Sequence, residues 1–118
     1  MSYDIYMQHP TTGERLQTEV PHDLKGGSYA VGGTTEAWLN VTYNYANHFY
    51  RVLGKKGIRT IYGMTGRDAL PLLESAASQL KDDTDPDYWK ATEGNARKAL
   101  LDLAALARLF PNGVFAGD

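Results

Sequence analysis

Glu36, Asn40, Asn44 and His48 recur at four-residue spacing, which puts carboxylate, carboxamide and imidazole groups on one face if the segment is helical. Each asparagine offers two N–H donors and one carbonyl acceptor in a fixed plane. A solvated helix face is ordinarily built from Lys, Glu, Arg and Gln, because Asn costs roughly a few tenths of a kcal/mol or more relative to Ala. A row of asparagines therefore points to recognition or to a hydrogen-bonded network. Glu36 and His48 are the best acid–base pair, yet twelve residues separate them, or about 18 Å along a helix axis. The two cannot act together along a single helix.

A second candidate is Gly32-Gly33-Thr34-Thr35, which leads into the same segment. Free N–H groups at a helix N-terminus bind anions, and Gly33, Thr34 and Thr35 would line such a site. No Gly-Lys-Ser/Thr follows as a Walker loop requires, and a plain glycine turn capped by a threonine hydroxyl explains the same residues more simply. Gly63-Met-Thr-Gly66 repeats this logic, with Tyr62 between Arg59 and Arg67, a setting that suits an anionic ligand. His9, His22 and His48 are scattered and there is no cysteine, so no metal site, disulfide or thiol nucleophile is expected. No serine lies in a nucleophile elbow.

The elements that must position these groups follow from periodicity. Val41, Tyr45, Phe49 and Val52 share a face opposite the asparagines, which predicts a helix over 36–53. Thr34 or Thr35 caps it, and Gly54 supplies its left-handed end. Trp38, Tyr45 and Phe49 read as core, with Tyr43 and Tyr50 at the edge of the apolar arc. Before it, 3–8 and 14–20 alternate apolar and polar residues around a turn, which predicts a β-hairpin, and 28–31 offers a short third strand. Residues 58–64 read as a short strand or an extended connector. A second helix is predicted over 69–80, with Asp68 as N-cap and Pro71 in the first turn. A third is predicted over 88–109, followed by Pro111 and a tail that returns across the surface.

The 118 residues form one domain, 1–118, by size. A hydrophobic fraction of 42% with 22% charged residues is that of a folded globule. A net charge of −2 argues against duplex DNA as a partner. No apolar run approaches the ~20 residues of a membrane span, and the first residues lack a signal-peptide pattern. The expected location is therefore the cytoplasm.

Several segments together carry a resemblance: YDIY, GGTTEAWLNVTYNY, GIRTIYGMTG, DYWKATEGNARKAL and the final PNGV with GD. They resemble a family of small bacteriophage and prophage proteins over nearly the whole chain. The resemblance implies an accessory protein of the host cell cytosol acting on a host process, and supplies neither an activity nor site residues.

The expected fold is α+β, a β-hairpin or small antiparallel sheet packed on about three helices. The expected function is non-enzymatic and without a cofactor: a small polar or anionic, nucleotide-like ligand is held by Gly33, Thr34, Thr35, Glu36, Asn40, Asn44, His48, Arg59 and Tyr62. The alternative is a protein-interaction module that inhibits a host enzyme or defence complex.

Overall fold

Alternation in Tyr3, Ile5 and Met7 makes β1 (Ser2–Gln8) a strand whose inner side chains are buried and whose outer ones meet solvent. β1 is the central strand of a three-stranded antiparallel sheet in a computed structural model that describes residues 2–22 and 34–118. On one side it pairs with β4 (Trp38–Thr42), Tyr3 opposite Val41 and Ile5 opposite Leu39. On the other it pairs with β5 (Val114–Gly117), Met7 opposite Phe115. A second, two-stranded sheet joins β2 (Gln17–His22) to β3 (Thr34–Glu36). Three helices complete the α+β fold: α1 (Ala46–Leu53), α2 (Gly66–Ser78) and α3 (Glu93–Leu109).

The inner face of the sheet and the apolar stripes of the helices form one continuous core. Ile5, Met7, Leu39, Val41 and Phe115 meet Phe49 of α1, Leu73 of α2, and Leu100, Leu103 and Leu106 of α3. Small side chains, Ala69, Ala76 and Ala77 on α2 and Ala96, Ala99 and Ala107 on α3, are all buried at this core and permit close helix approach. One close approach is at Gly66, the first residue of α2, where a Cβ would run into the main-chain oxygens of Ala107 and Phe110. No described helix is long and apolar enough to cross a membrane.

The helix predicted over 36–53 is helical only from Ala46. Residues 38–42 are a strand because Leu39 and Val41 also fit a period of two, and both are fully buried against β1. Trp38, Val41 and Thr42 favour a pleated surface, and the sheet decides between the two readings of one apolar pattern. Thr42 then opens a 3-10 turn over Tyr43–Tyr45, its hydroxyl accepting the Asn44 N–H. Thr34 and Thr35 lie in β3 and cap no helix.

Other boundaries shift for similar reasons. The predicted hairpin survives as its tip, where His9 N–H donates to Glu14 O at 2.8 Å and Leu16 N–H to Met7 O at 3.0 Å. Beyond it, β2 leaves β1 and pairs with β3. The 58–64 segment is not a strand. It begins with a 3-10 turn, Gly57–Ile61, that buries Ile58 and Ile61 on one side. Thr65, not Asp68, caps α2, accepting the Asp68 N–H at 3.2 Å. Pro71 therefore falls inside the helix and deprives the Arg67 carbonyl of its i+4 donor. The third helix starts at Glu93 behind a Thr92 cap, and 88–92 is loop. The 28–31 strand and the Gly32-Gly33 turn lie outside the described residues.

Candidate functional site

The predicted site residues are carried by different elements and serve different ends. Asn40, on β4, projects from the outer sheet face and donates through Nδ2 to Ser2 Oγ at 2.9 Å and Asp4 Oδ1 at 2.8 Å. Trp38 Nε1 donates to the same Asp4 oxygen at 3.1 Å. Thr34, Thr35 and Glu36 hold the small sheet together: Thr35 Oγ1 donates to Gln17 Oε1 at 2.7 Å, Thr34 Oγ1 accepts the Glu36 N–H, and Glu36 faces Arg15 at 3.5 Å. Gly33 lies outside the described residues.

Asn44 and His48 keep their predicted neighbourhood but spend it on the fold. Asn44 Nδ2 donates to Trp89 O at 2.8 Å, and His48 Nε2 lies 2.7 Å from Ala91 O. The Tyr45 hydroxyl donates to Tyr88 O, and Arg51 meets Glu93 at 3.2 Å. Spaced along the 3-10 turn and α1, these four side chains clasp the segment that leads into α3. Burial pushes the Tyr45 hydroxyl up to about 12, with Asp87 adding to the shift.

From the far side the same segment is held by Asn95, which the sequence reading passed over. Only 6% of this side chain is exposed. Its Oδ1 accepts the Asp85 N–H at 3.0 Å, while Nδ2 donates to Asp87 O at 3.1 Å and Lys90 O at 3.0 Å. Tyr45, Asp85, Tyr88, Asn95 and Lys98 help to line an open cleft of about 510 Å³. Its charged lining is already engaged, Asp85 with Lys90 at 3.4 Å and Lys98 with Asp102 at 3.2 Å. A smaller cleft of about 320 Å³ lies between Leu16 and Leu109 beside His9. Among the described residues no group of three His, Asp or Glu side chains is placed to hold a metal ion.

Arg59 and Tyr62 are the two predicted residues that do converge. The Arg59 guanidinium lies 4.9 Å from the Tyr3 ring centre and 5.9 Å from that of Tyr43, within cation–π range. Its Nε donates to the Asp118 main-chain oxygen at 2.9 Å and its Nη2 to the Tyr43 hydroxyl at 3.3 Å. The Tyr62 hydroxyl donates to the same Asp118 oxygen at 3.3 Å, and burial, then the Asp118 charge, hold it far above the usual tyrosine range. Tyr3 and Tyr43 rings are 4.5 Å apart. Tyr50 lies near enough to Tyr3 to help raise its pKa, after burial, and is 43% exposed. Its ring rests on Gly57, where a Cβ would come within 3.0 Å of two ring carbons. Arg67 stands apart from this group and donates to Asn112 at 3.2 Å.

This tyrosine cluster sits in an electrically distinct stretch. From Ala37 to Arg67 the chain has no Asp or Glu, but it has Arg51, Lys55, Lys56, Arg59 and Arg67. Lys55 and Lys56 lie exposed in the turn that carries the chain from α1 to Gly57, beside Tyr50. The overall charge of −2 hides this, because Asp82, Asp83, Asp85 and Asp87 crowd into the segment before α3. Net charge counted by segment rather than over the chain is the signal that finds the patch. Compared with protein-family models, curated proteins and solved structures, the chain finds no match.

Proposed function

We propose that the protein is a non-enzymatic binding module that takes an anionic ligand on the face formed by Tyr43, Tyr50, Lys55, Lys56 and Arg59. The setting we read for it is that of a phage accessory protein acting in the host cytosol. The observation that carries the reading is the acid-free stretch 37–67, whose exposed lysines border a cluster of tyrosines. In that field an approaching anion meets Lys55 and Lys56 with no carboxylate from the same stretch beside them, while Asp118 lies against Arg59 and Tyr62. Arg59 remains part of the proposed site through its exposed guanidinium, one edge of which is bonded to Asp118, and Tyr62 supports it by bonding the same Asp118 oxygen. Asn40, Asn44 and His48 leave it, since their side chains are bonded to Asp4 and to the main chain of 89–91.

The test is titration with inorganic polyphosphate and with nucleoside triphosphates at low ionic strength, followed by calorimetry. Binding that weakens with salt and is lost in Lys55→Glu/Lys56→Glu supports the reading. A protein indifferent to every polyanion at low salt refutes it. The protein-interaction alternative draws on a separate observation: Tyr50 and Trp89, at 43% and 46% exposed, are the residue types that dominate protein interfaces. It expects a stable complex with a host protein, weakened by Tyr50→Ala, and no anion dependence.

A further inference from the structure

Resting on that anion-binding reading, we infer that the ligand is single-stranded nucleic acid, with phosphates along Lys55, Lys56 and Arg59 and an unstacked base on Tyr50. The placement of the cations is the first argument. Lys55 and Lys56 stand in the turn after α1 and Arg59 in the following 3-10 turn. All three side chains are exposed. Neither described cleft includes them. A small ligand needs a concave site that buries most of its surface. A strand instead gains affinity from several separate phosphate contacts.

Tyr50 is the second argument. Its ring is exposed, yet it is backed by Gly57. A ring already held in place loses little freedom when a base stacks on it, and stacking is tolerant of sequence because every base has a π-face. Arg59 over Tyr3 and Tyr43 shows that this face already packs a flat cation against rings.

The width of the basic strip argues against duplex. Across α1 from Tyr50, the clasp formed by Asn44, His48 and Arg51 brings in the segment that carries Asp85, Asp87 and Glu93. A duplex, whose bases are hidden and whose charge lattice is broad, would meet these carboxylates. A single strand needs only the narrower row of Lys55, Lys56 and Arg59, and meets Asp118 where it lies against Arg59.

The experiment is fluorescence anisotropy with a labelled oligothymidylate of about 12 nucleotides, with matched duplex, inorganic polyphosphate and polyglutamate as competitors. Three phosphate contacts predict that log K falls with log salt at a slope of about −2. Tyr50→Leu is expected to weaken the oligonucleotide about 5- to 100-fold, while Tyr50→Phe binds as the parent does and circular dichroism verifies that both are folded. Polyphosphate binding unaffected by Tyr50→Leu, with an oligonucleotide no better, overturns the nucleic-acid inference and leaves anion binding intact. Tighter binding of duplex overturns it too, and polyglutamate displacing the oligonucleotide at lower concentration assigns the face to an acidic protein segment. Binding of no polyanion removes both proposals together.

Discussion

Truncating Asn95 to alanine should loosen the whole 85–90 segment. The side chain supplies one acceptor and two donors to main-chain groups of three residues, Asp85, Asp87 and Lys90. Each such bond is worth about 0.5–1.5 kcal/mol net. Partial access of water to the freed groups keeps the total in the lower half of that sum, about 2–3 kcal/mol. For a chain of this size that lowers Tm by about 8–12 °C, at about 4 °C per kcal/mol. Urea denaturation gives the free energy, and amide exchange at Asp85 reports the broken bond directly. Asn95→Asp is expected to be worse than alanine near neutral pH, because a second acceptor would then face the two carbonyls. An alanine variant within about 0.5 kcal/mol of the parent, with Asp85 exchange unchanged, would show that this side chain does not organise the segment.

Gly66→Ala should destabilise by about 1–3 kcal/mol, since the new methyl meets main-chain oxygens of Ala107 and Phe110 that cannot rotate away; thermal denaturation measures it. Alkaline titration should weaken the fold in part through Tyr45. Its folded pKa of about 12 lies above the ordinary 10.0, so its contribution is whole below pH 10.0 and declines as the pH rises toward 12, which Tyr45→Phe should lessen in a near-ultraviolet pH titration while Tyr62, shifted further, keeps its own alkaline loss. At the acid end, the Asp87 N–H and Lys90 hold the Asp85 carboxyl below its usual range, and the Lys81 N–H and Arg51 do the same for Glu93. Both depressed groups contribute above their unfolded values of 3.8 and 4.5 and lose that contribution as pH falls below them. Amide exchange should therefore rise first at Lys81 and Asp87, whose N–H groups these carboxylates accept, and not in the core of α3.

The sequence made the α+β class legible because Tyr3, Ile5 and Met7 alternate cleanly and the α3 alanines and leucines hold one helical face. It misled at 36–42, where Trp38, Val41 and Tyr45 satisfy a helical spacing while Leu39 and Val41 satisfy a strand. Only a partner strand separates the two, and that partner lies 36 residues upstream, Asp4 opposite Asn40. The asparagine row was a product of that misreading. Asn40 belongs to a sheet face, whereas Asn44 and His48 bind carbonyls of a segment 43 to 45 positions away, which no local pattern records. Asn95 has partners only 5 to 10 positions upstream, but they are main-chain groups of an irregular loop, which no periodic pattern records. Arg59 and Tyr62 come together because both lie in one short segment, where neighbourhood can be read directly.

The strand order β4-β1-β5 also sets the order in which the sheet can form. Ile5 pairs with Leu39 on one side and with Gly117 on the other, separations of 34 and 112 positions. Closing the longer loop costs about 1 kcal/mol more chain entropy than closing the shorter. The β1–β4 pair is thus the earlier seed, and β5 docks once α2 and α3 have brought it near. Until then the edge of β1 that faces β5 lacks its neighbour, and an exposed strand edge is a template for another chain. Slow, concentration-sensitive refolding is the kinetic signature of that topology. A permutant joining β5 to β1 through a short turn should refold faster, because its longest pairing becomes a hairpin.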